Sequence, residues 1–241
     1  MDAESLKEIV AGVDSVAAHS DFILRLAKPC VRIKLADGGG IEDSVSRFGG
    51  HPFLPTDFQW PTHDVGEYRF LGQINFAQIV DRPESLPDSG LLSIFFAFDE
   101  DGEVFWGDDG YVLAFYWPAF EGHSIFNSPT EDVPESIAIE LTGGIDIPRD
   151  EDLRSDWPFD DDALYELTDA LDENSEYMLG YPSFTSLAYD PTPEGDWISL
   201  LTVHSLDEFG WCWHDGDKLM VFIEANKLAN RDFSSLKSDA G

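Results

Sequence analysis

Apolar residues in this chain come in short runs closed off by Asp, Gly and Pro, and that punctuation limits the folds open to it. The longest runs, Leu91 to Phe98 and Val112 to Phe120, span eight and nine residues, and Pro118 interrupts the second. Runs of this length suit buried strands. They fall far short of the roughly 20 residues a membrane-crossing helix needs. Further strands are expected at Cys30–Leu35, where Val31, Ile33 and Leu35 alternate with Arg32 and Lys34, and at Tyr68–Asn75, Val104–Trp106, Tyr111–Trp117, Ile137–Leu141, Trp197–His204 and Lys218–Glu224. Helical spacing occurs over residues 4–27, with a break expected at His19-Ser20-Asp21, and again over Asp160–Leu171 and Ala225–Arg231. The expected fold is α+β: twisted, largely antiparallel sheets from two pseudo-repeated β-rich halves, with N-terminal helices packed on them.

At 241 residues, 43% hydrophobic and 13% aromatic, the chain can bury a core without disulfide help. We expect one domain over residues 1–241. It would comprise N-terminal helices at 4–28, a first half at about 30–120, an acidic surface insertion at about 131–176 and a second half at about 177–233. Cys30 and Cys212 lie far apart with no Cys or His at metal-ligand spacing, which suits a reducing cytoplasm. Met1 to Lys28 is charged and amphipathic, unlike a targeting segment.

Charge narrows the partners. There are 48 acids against 14 bases, and residues 51–217 carry 37 of those acids with only 4 bases. Phosphate-mediated nucleic-acid binding needs Lys and Arg and is excluded on this count. Attraction to an anionic membrane is excluded in the same way. A basic protein partner is the macromolecule such a surface would steer toward itself.

Two segments echo one another at an offset of 107 residues. Trp106-Gly107-Asp108 leads, three residues later, into Val112-Leu113-Ala114-Phe115. Trp213-His214-Asp215 leads likewise into Leu219-Met220-Val221-Phe222. Apolar strands precede them, Phe70–Asn75 in one case and Leu200–His204 in the other. Hairpin turns demand Asp and Gly on their own account, so chance likeness is an alternative to duplication. Gathered in one place, Gln73, Trp106, Asp108, Asp109, Trp213, His214 and Asp215 would form a binding face.

Phe48-Gly49-Gly50-His51-Pro52-Phe53-Leu54-Pro55, followed by Trp60-Pro61, reads as a rigid packed loop. Gly49 and Gly50 permit positive φ, and Pro52 and Pro55 forbid a helix. With Phe70-Leu71-Gly72-Gln73-Ile74-Asn75, Leu86–Leu92, Leu179-Gly180-Tyr181-Pro182, Trp197–Leu201 and Trp213 onward to Asp232-Phe233, this loop resembles the YwqG-like family, domain of unknown function 1963. The likeness runs from about residue 30 over nearly the whole chain. It departs from the family pattern at Thr202-Val203-His204 and at His214. The resemblance implies a bacterial-type cytoplasmic α+β protein, some of whose relatives sit among toxin–immunity genes. It supplies no catalytic residues.

Reactive constellations are weak. Asp108, Asp109, Asp215 and Asp217 fall where turn geometry alone explains them, so no metal is expected. No His-Glu-x-x-His pattern, Gly-x-Ser-x-Gly elbow or phosphate loop is present. Cys212, between two tryptophans, reads as a buried strand residue. No cofactor is expected. A non-catalytic binding protein is the leading expectation. The alternative is an enzyme or a small-ligand or metal binder with a pocket between the two halves.

Overall fold

The computed structural model describes residues 1–37, 42–149, 153, 157–171 and 176–241. Most of the strands form one ten-stranded sheet in which every ladder is antiparallel. In chain order the strands are β1 (Lys28–Leu35), β2 (Arg47–Phe48), β3 (Phe53–Pro55), β4 (Glu67–Asn75), β5 (Leu91–Phe98), β6 (Val112–Trp117), β7 (His123–Ile125), β8 (Ile137–Asp146), β9 (Glu176–Leu179), β10 (Trp197–His204), β11 (Lys218–Glu224) and β12 (Lys237–Ala240). The large sheet runs β12-β11-β10-β9-β1-β8-β2-β4-β5-β6, and β3 pairs with β7 apart from it. The fold is thus mostly antiparallel β with a few helices.

The apolar runs become strands because both faces of the inner ladders are covered. All of β5 except Phe98 is buried. The two wings of the sheet face each other over one core. Phe48 of β2 meets Trp211 edge-on at 5.4 Å, Phe96 of β5 meets Trp213 at 5.8 Å, and Phe233 packs against Phe76 and Tyr116.

The helices form a second, smaller cluster. Helix α1 (Ala3–Gly12) starts at Asp2, whose carboxylate accepts the Glu4 and Ser5 amides at 3.0 and 2.8 Å. It ends at Gly12, well before the expected break at His19-Ser20-Asp21. Gly12, Val13, Asp14 and Ser15 are all weak helix formers. Helix α2 (Ser20–Arg25) follows a short 3₁₀ turn. Leu6, Val10, Val16 and Ile23 pack with Trp157 and with Leu164, Leu167 and Leu171 on and just after α3 (Asp161–Ala170). Helix α4 (Ala225–Ala229) joins β11 to β12.

Two sequence expectations are corrected. The acidic span 131–176 is not simply a surface excursion, because β8 within it is a central strand between β1 and β2. Acids on β8 do not prevent this: Glu140 is exposed, while Ile139 and Leu141 are buried. Residues 150–152, 154–156 and 172–175 of that span lie outside the described residues. Val104–Trp106 is not a strand but part of the loop between β5 and β6. The echoing hairpins occupy inequivalent places, since Trp106 stands before an edge strand and Trp213 before β11, one strand in from the edge. The strand order itself is mirrored about the β1–β8 boundary, with five strands on each side. β4 and β10, third from the opposite edges, each carry a bulge, at Phe70/Gly72 and Ser199/Leu201.

Candidate functional site

The connections after β5 and after β10 are built by their own acids. Asp99 accepts the Glu103 and Val104 amides, both at 2.8 Å, and these bonds hold its carboxyl below the usual range. Asp108 accepts the Phe105 amide at 3.2 Å. The Val104 and Phe105 N–H groups that a strand would pair are therefore committed to side chains, which is why no strand forms there. In the second connection, Ser205 Oγ accepts the Trp213 amide and donates to the Asp217 carbonyl, each at 2.8 Å. His214, Asp215 and Gly216 then take positive φ in succession (41°, 60° and 100°). Asp217 accepts hydrogen bonds from Thr185 Oγ1 and Ser186 Oγ at 2.7 and 2.9 Å, and Ser186 Oγ lies 2.9 Å from His214 Nδ1.

These connections meet. The Trp106 ring stands edge-on to the His214 ring at 5.5 Å. Ser238 Oγ of β12 donates to the Trp106 carbonyl at 2.6 Å. Beneath, Trp213 Nε1 donates to the Tyr111 hydroxyl at 3.1 Å, and burial pushes that phenol up to about 12. Asp108, Asp109 and Asp215 are exposed at the rim, and Trp106 is half-buried. Trp213 is a core residue at 2% exposure. Gln73 is fully buried, with its Nε2 donating to the Asp43 and Val45 carbonyls and its Oε1 accepting the Phe53 amide. Sequence reasoning grouped seven residues; the structure brings Trp106 and His214 into contact, puts Trp213 below them and gives Gln73 a loop-tying position. Among the described residues no group of three or more His, Cys, Asp and Glu is placed to hold a metal ion.

Cys212 is exposed, not buried in a strand, because Trp211 and Trp213 on either side turn into the core. Cys30 is buried, and desolvation pushes its thiol up to about 11. Iodoacetamide is therefore expected to label Cys212 and spare Cys30 in the folded chain. Peptide mass spectrometry of a briefly treated native sample reads this directly, and equal labelling of both would contradict the burial of Cys30.

The sequence alone did not single out Arg47. Gly49 (φ 65°) and Gly50 (φ 71°) turn the chain beside it, and their amides donate to the Leu71 and Pro134 carbonyls. Pro52 and Phe53–Pro55 tie this loop to β7: Phe126 N–H donates to the Pro52 carbonyl, and Phe53 and Pro55 pair with Ile125 and His123. Arg47 is 2% exposed. Its Nη1 donates to the Asp43 and Glu42 carbonyls at 2.6 and 3.5 Å, and its Nη2 to the His51 carbonyl at 2.7 Å. Desolvation lowers its guanidinium to about 10, with the Asp43 charge opposing. A hollow of about 420 Å³ adjoins it, lined by Asp43, His51, Ile125, Val133, Pro134 and Ser136 as well as Arg47 and Gly50. The apolar periodicity that reveals strands carries no signal for such a site.

No helix among the described residues is long and apolar enough to cross a membrane. The family described as "Domain of unknown function (DUF1963)" matches residues 46–238, about four fifths of the chain. That span holds the double-glycine loop and both meeting connections. No curated protein matches.

Proposed function

Because the chain belongs to the DUF1963 family, whose description names no activity, we propose a function from its geometry: a non-catalytic binding protein that lays its acidic end over a basic partner protein. In its most concrete form it is an immunity-type inhibitor, covering a basic surface by which that partner acts. One observation carries this reading. The two connections meet through Trp106 and His214, and between them residues 99–111 and 205–217 hold ten acids and no Lys or Arg. A half-buried indole beside fixed carboxylates is the kind of anchor protein interfaces use. Their shared charge would speed encounter with a basic surface. The same reading takes the two wings as pseudo-repeated halves, which the mirrored strand order and the paired bulges support.

The test is chemical cross-linking in native lysate, with the wild-type chain compared against an Asp108→Lys/Asp109→Lys/Asp215→Lys variant. These residues are exposed, so the variant is expected to keep the wild-type melting temperature to within a few degrees. We expect the wild type to capture a basic protein, and the variant to bind that purified protein at least tenfold more weakly at low salt. Equal affinity of the two chains would overturn the reading, as would a captured partner of acidic charge. A small-ligand role is favoured by a separate observation, the hollow at Arg47.

A further inference from the structure

We propose that the hollow beneath the double-glycine loop binds a small organic monocarboxylate with an apolar body, through Arg47, Ser136 and His51. The site lies apart from the acidic end in sequence and does not depend on the role assigned there.

The first ground is the charge. Arg47 is almost wholly buried in a chain with 48 acids, yet among the described residues no carboxylate lies within salt-bridge distance of it. Its protein acceptors are three backbone carbonyls. They take three of the five guanidinium N–H groups, which leaves two without a protein acceptor. Tying the loop does not require a cation, because Gln73 does the same work beside it with a neutral amide, donating to the Asp43 and Val45 carbonyls. A buried arginine on which Asp43 acts only from beyond ion-pair distance stays costly unless something else supplies further opposite charge.

The second ground is the lining. Ser136 Oγ is a buried atom with no hydrogen-bond partner, and it borders the hollow. Gly50 makes this approach possible, since a Cβ there would sit 2.6 Å from the Ser136 Cβ. His51 Nδ1 accepts the Ser128 amide at 3.1 Å. The ring proton of a neutral His51 is thereby placed on Nε2, making that nitrogen a donor. Arg47, Ser136 and His51 together offer donors, and an anion is the matching ligand.

The rest of the wall selects within anions. Ile125, Val133 and Pro134 are apolar and suit a hydrocarbon body. The volume, about 420 Å³, lies in the range of small-ligand sites. Only one Arg is present, and Asp43 borders the same space. In a chain of formal charge −34, each further negative charge on a ligand meets repulsion. A monoanion is preferred over a phosphate for that reason.

The full chain is titrated by calorimetry and by protein-observed NMR with acetate, isobutyrate, 4-methylpentanoate and phenylacetate, with the primary amide of each, and with inorganic phosphate. We expect saturable binding of at least one apolar carboxylate, at least tenfold tighter than its amide and tighter than phosphate. Ile125→Trp should fill the mouth and weaken binding at least tenfold with an unchanged melting temperature, because Ile125 is 41% exposed on the short strand β7. Ser136→Ala provides a second, milder variant and should weaken binding severalfold. Asp43→Asn should strengthen it severalfold. Arg47 itself holds the loop together, so its replacement is not the deciding variant. The proposal is overturned if no carboxylate saturates, if the amides or phosphate bind as well, or if neither Ile125→Trp nor Ser136→Ala alters affinity.

Discussion

Phe95→Ala is expected to lower the stability of the fold by about 3–5 kcal/mol, the usual cost of emptying a large buried aromatic site. Phe95 is fully buried in β5. Its ring lies 5.1 Å from Trp60, 5.5 Å from Phe70, 5.7 Å from Phe115 and 6.0 Å from Phe58. Phe58 and Trp60 belong to the segment between β3 and β4, so this one ring fastens that segment to the sheet. The Trp60 indole N–H also donates to the Tyr68 carbonyl at 3.0 Å, which leaves the segment a second, weaker hold. Urea unfolding measures the loss. Tyr165→Ala on α3, with Tyr165 64% exposed, serves as the control and should change stability by no more than about 0.5 kcal/mol. Similar midpoints for the two variants would show that the aromatic cluster does not anchor the segment.

Gly49→Ala should cost about 3 kcal/mol or more, from two effects that add. Gly49 has φ 65°, a conformation that costs an L-residue roughly 1–2 kcal/mol. A Cβ there would also fall 2.5 Å from the Glu135 carbonyl oxygen and 2.9 Å from the Phe209 ring. Neither neighbour can move freely, because Phe209 stacks on Trp211 at 4.5 Å and packs edge-on against Phe48. The double glycine is thus the point where the loop, the β8 approach and the opposite wing converge. Gly102→Ala is the comparison: it shares a positive φ of 68° but has nothing within 4 Å of its added carbon. It should cost only the backbone part, and equal thermal shifts for the two variants would dispose of the close-packing argument.

Strands that carry their own apolar signal were legible in the sequence. Leu91–Phe98, Trp197–His204 and Lys218–Glu224 match the expected bounds, because each buries most of its side chains and must be apolar to do so. β12 was not legible. Its sequence, Lys-Ser-Asp-Ala, has no strand signature, and it pairs with β11 through backbone groups while Ser238 reaches across to Trp106. β2 and β7 are two and three residues long, too short for any period to show. At the candidate sites, likeness between two turns directed attention to Trp106 and His214, which do touch. The same likeness carries no information on where the hairpins sit in the sheet, since turn chemistry recurs wherever a tight acidic reversal is needed. Arg47 escaped notice because nothing local marks it. Its burial depends on β4, β8 and the loop through 51, brought together only by the fold.

The mirrored strand order has a consequence for how the chain comes to be assembled. Each wing is built largely of neighbours in sequence, β4-β5-β6 on one side and β10-β11-β12 on the other. The seam between the wings is different: Leu35 of β1 pairs with Ile139, and Ile33 pairs across its other edge with Glu176. On a ribosome, β1 is made early and then waits through more than a hundred further residues for its first neighbour. During that interval Val31 and Ile33 have no paired strand beside them. The strand at the centre of the finished sheet is thus the one that waits longest for its partners during synthesis.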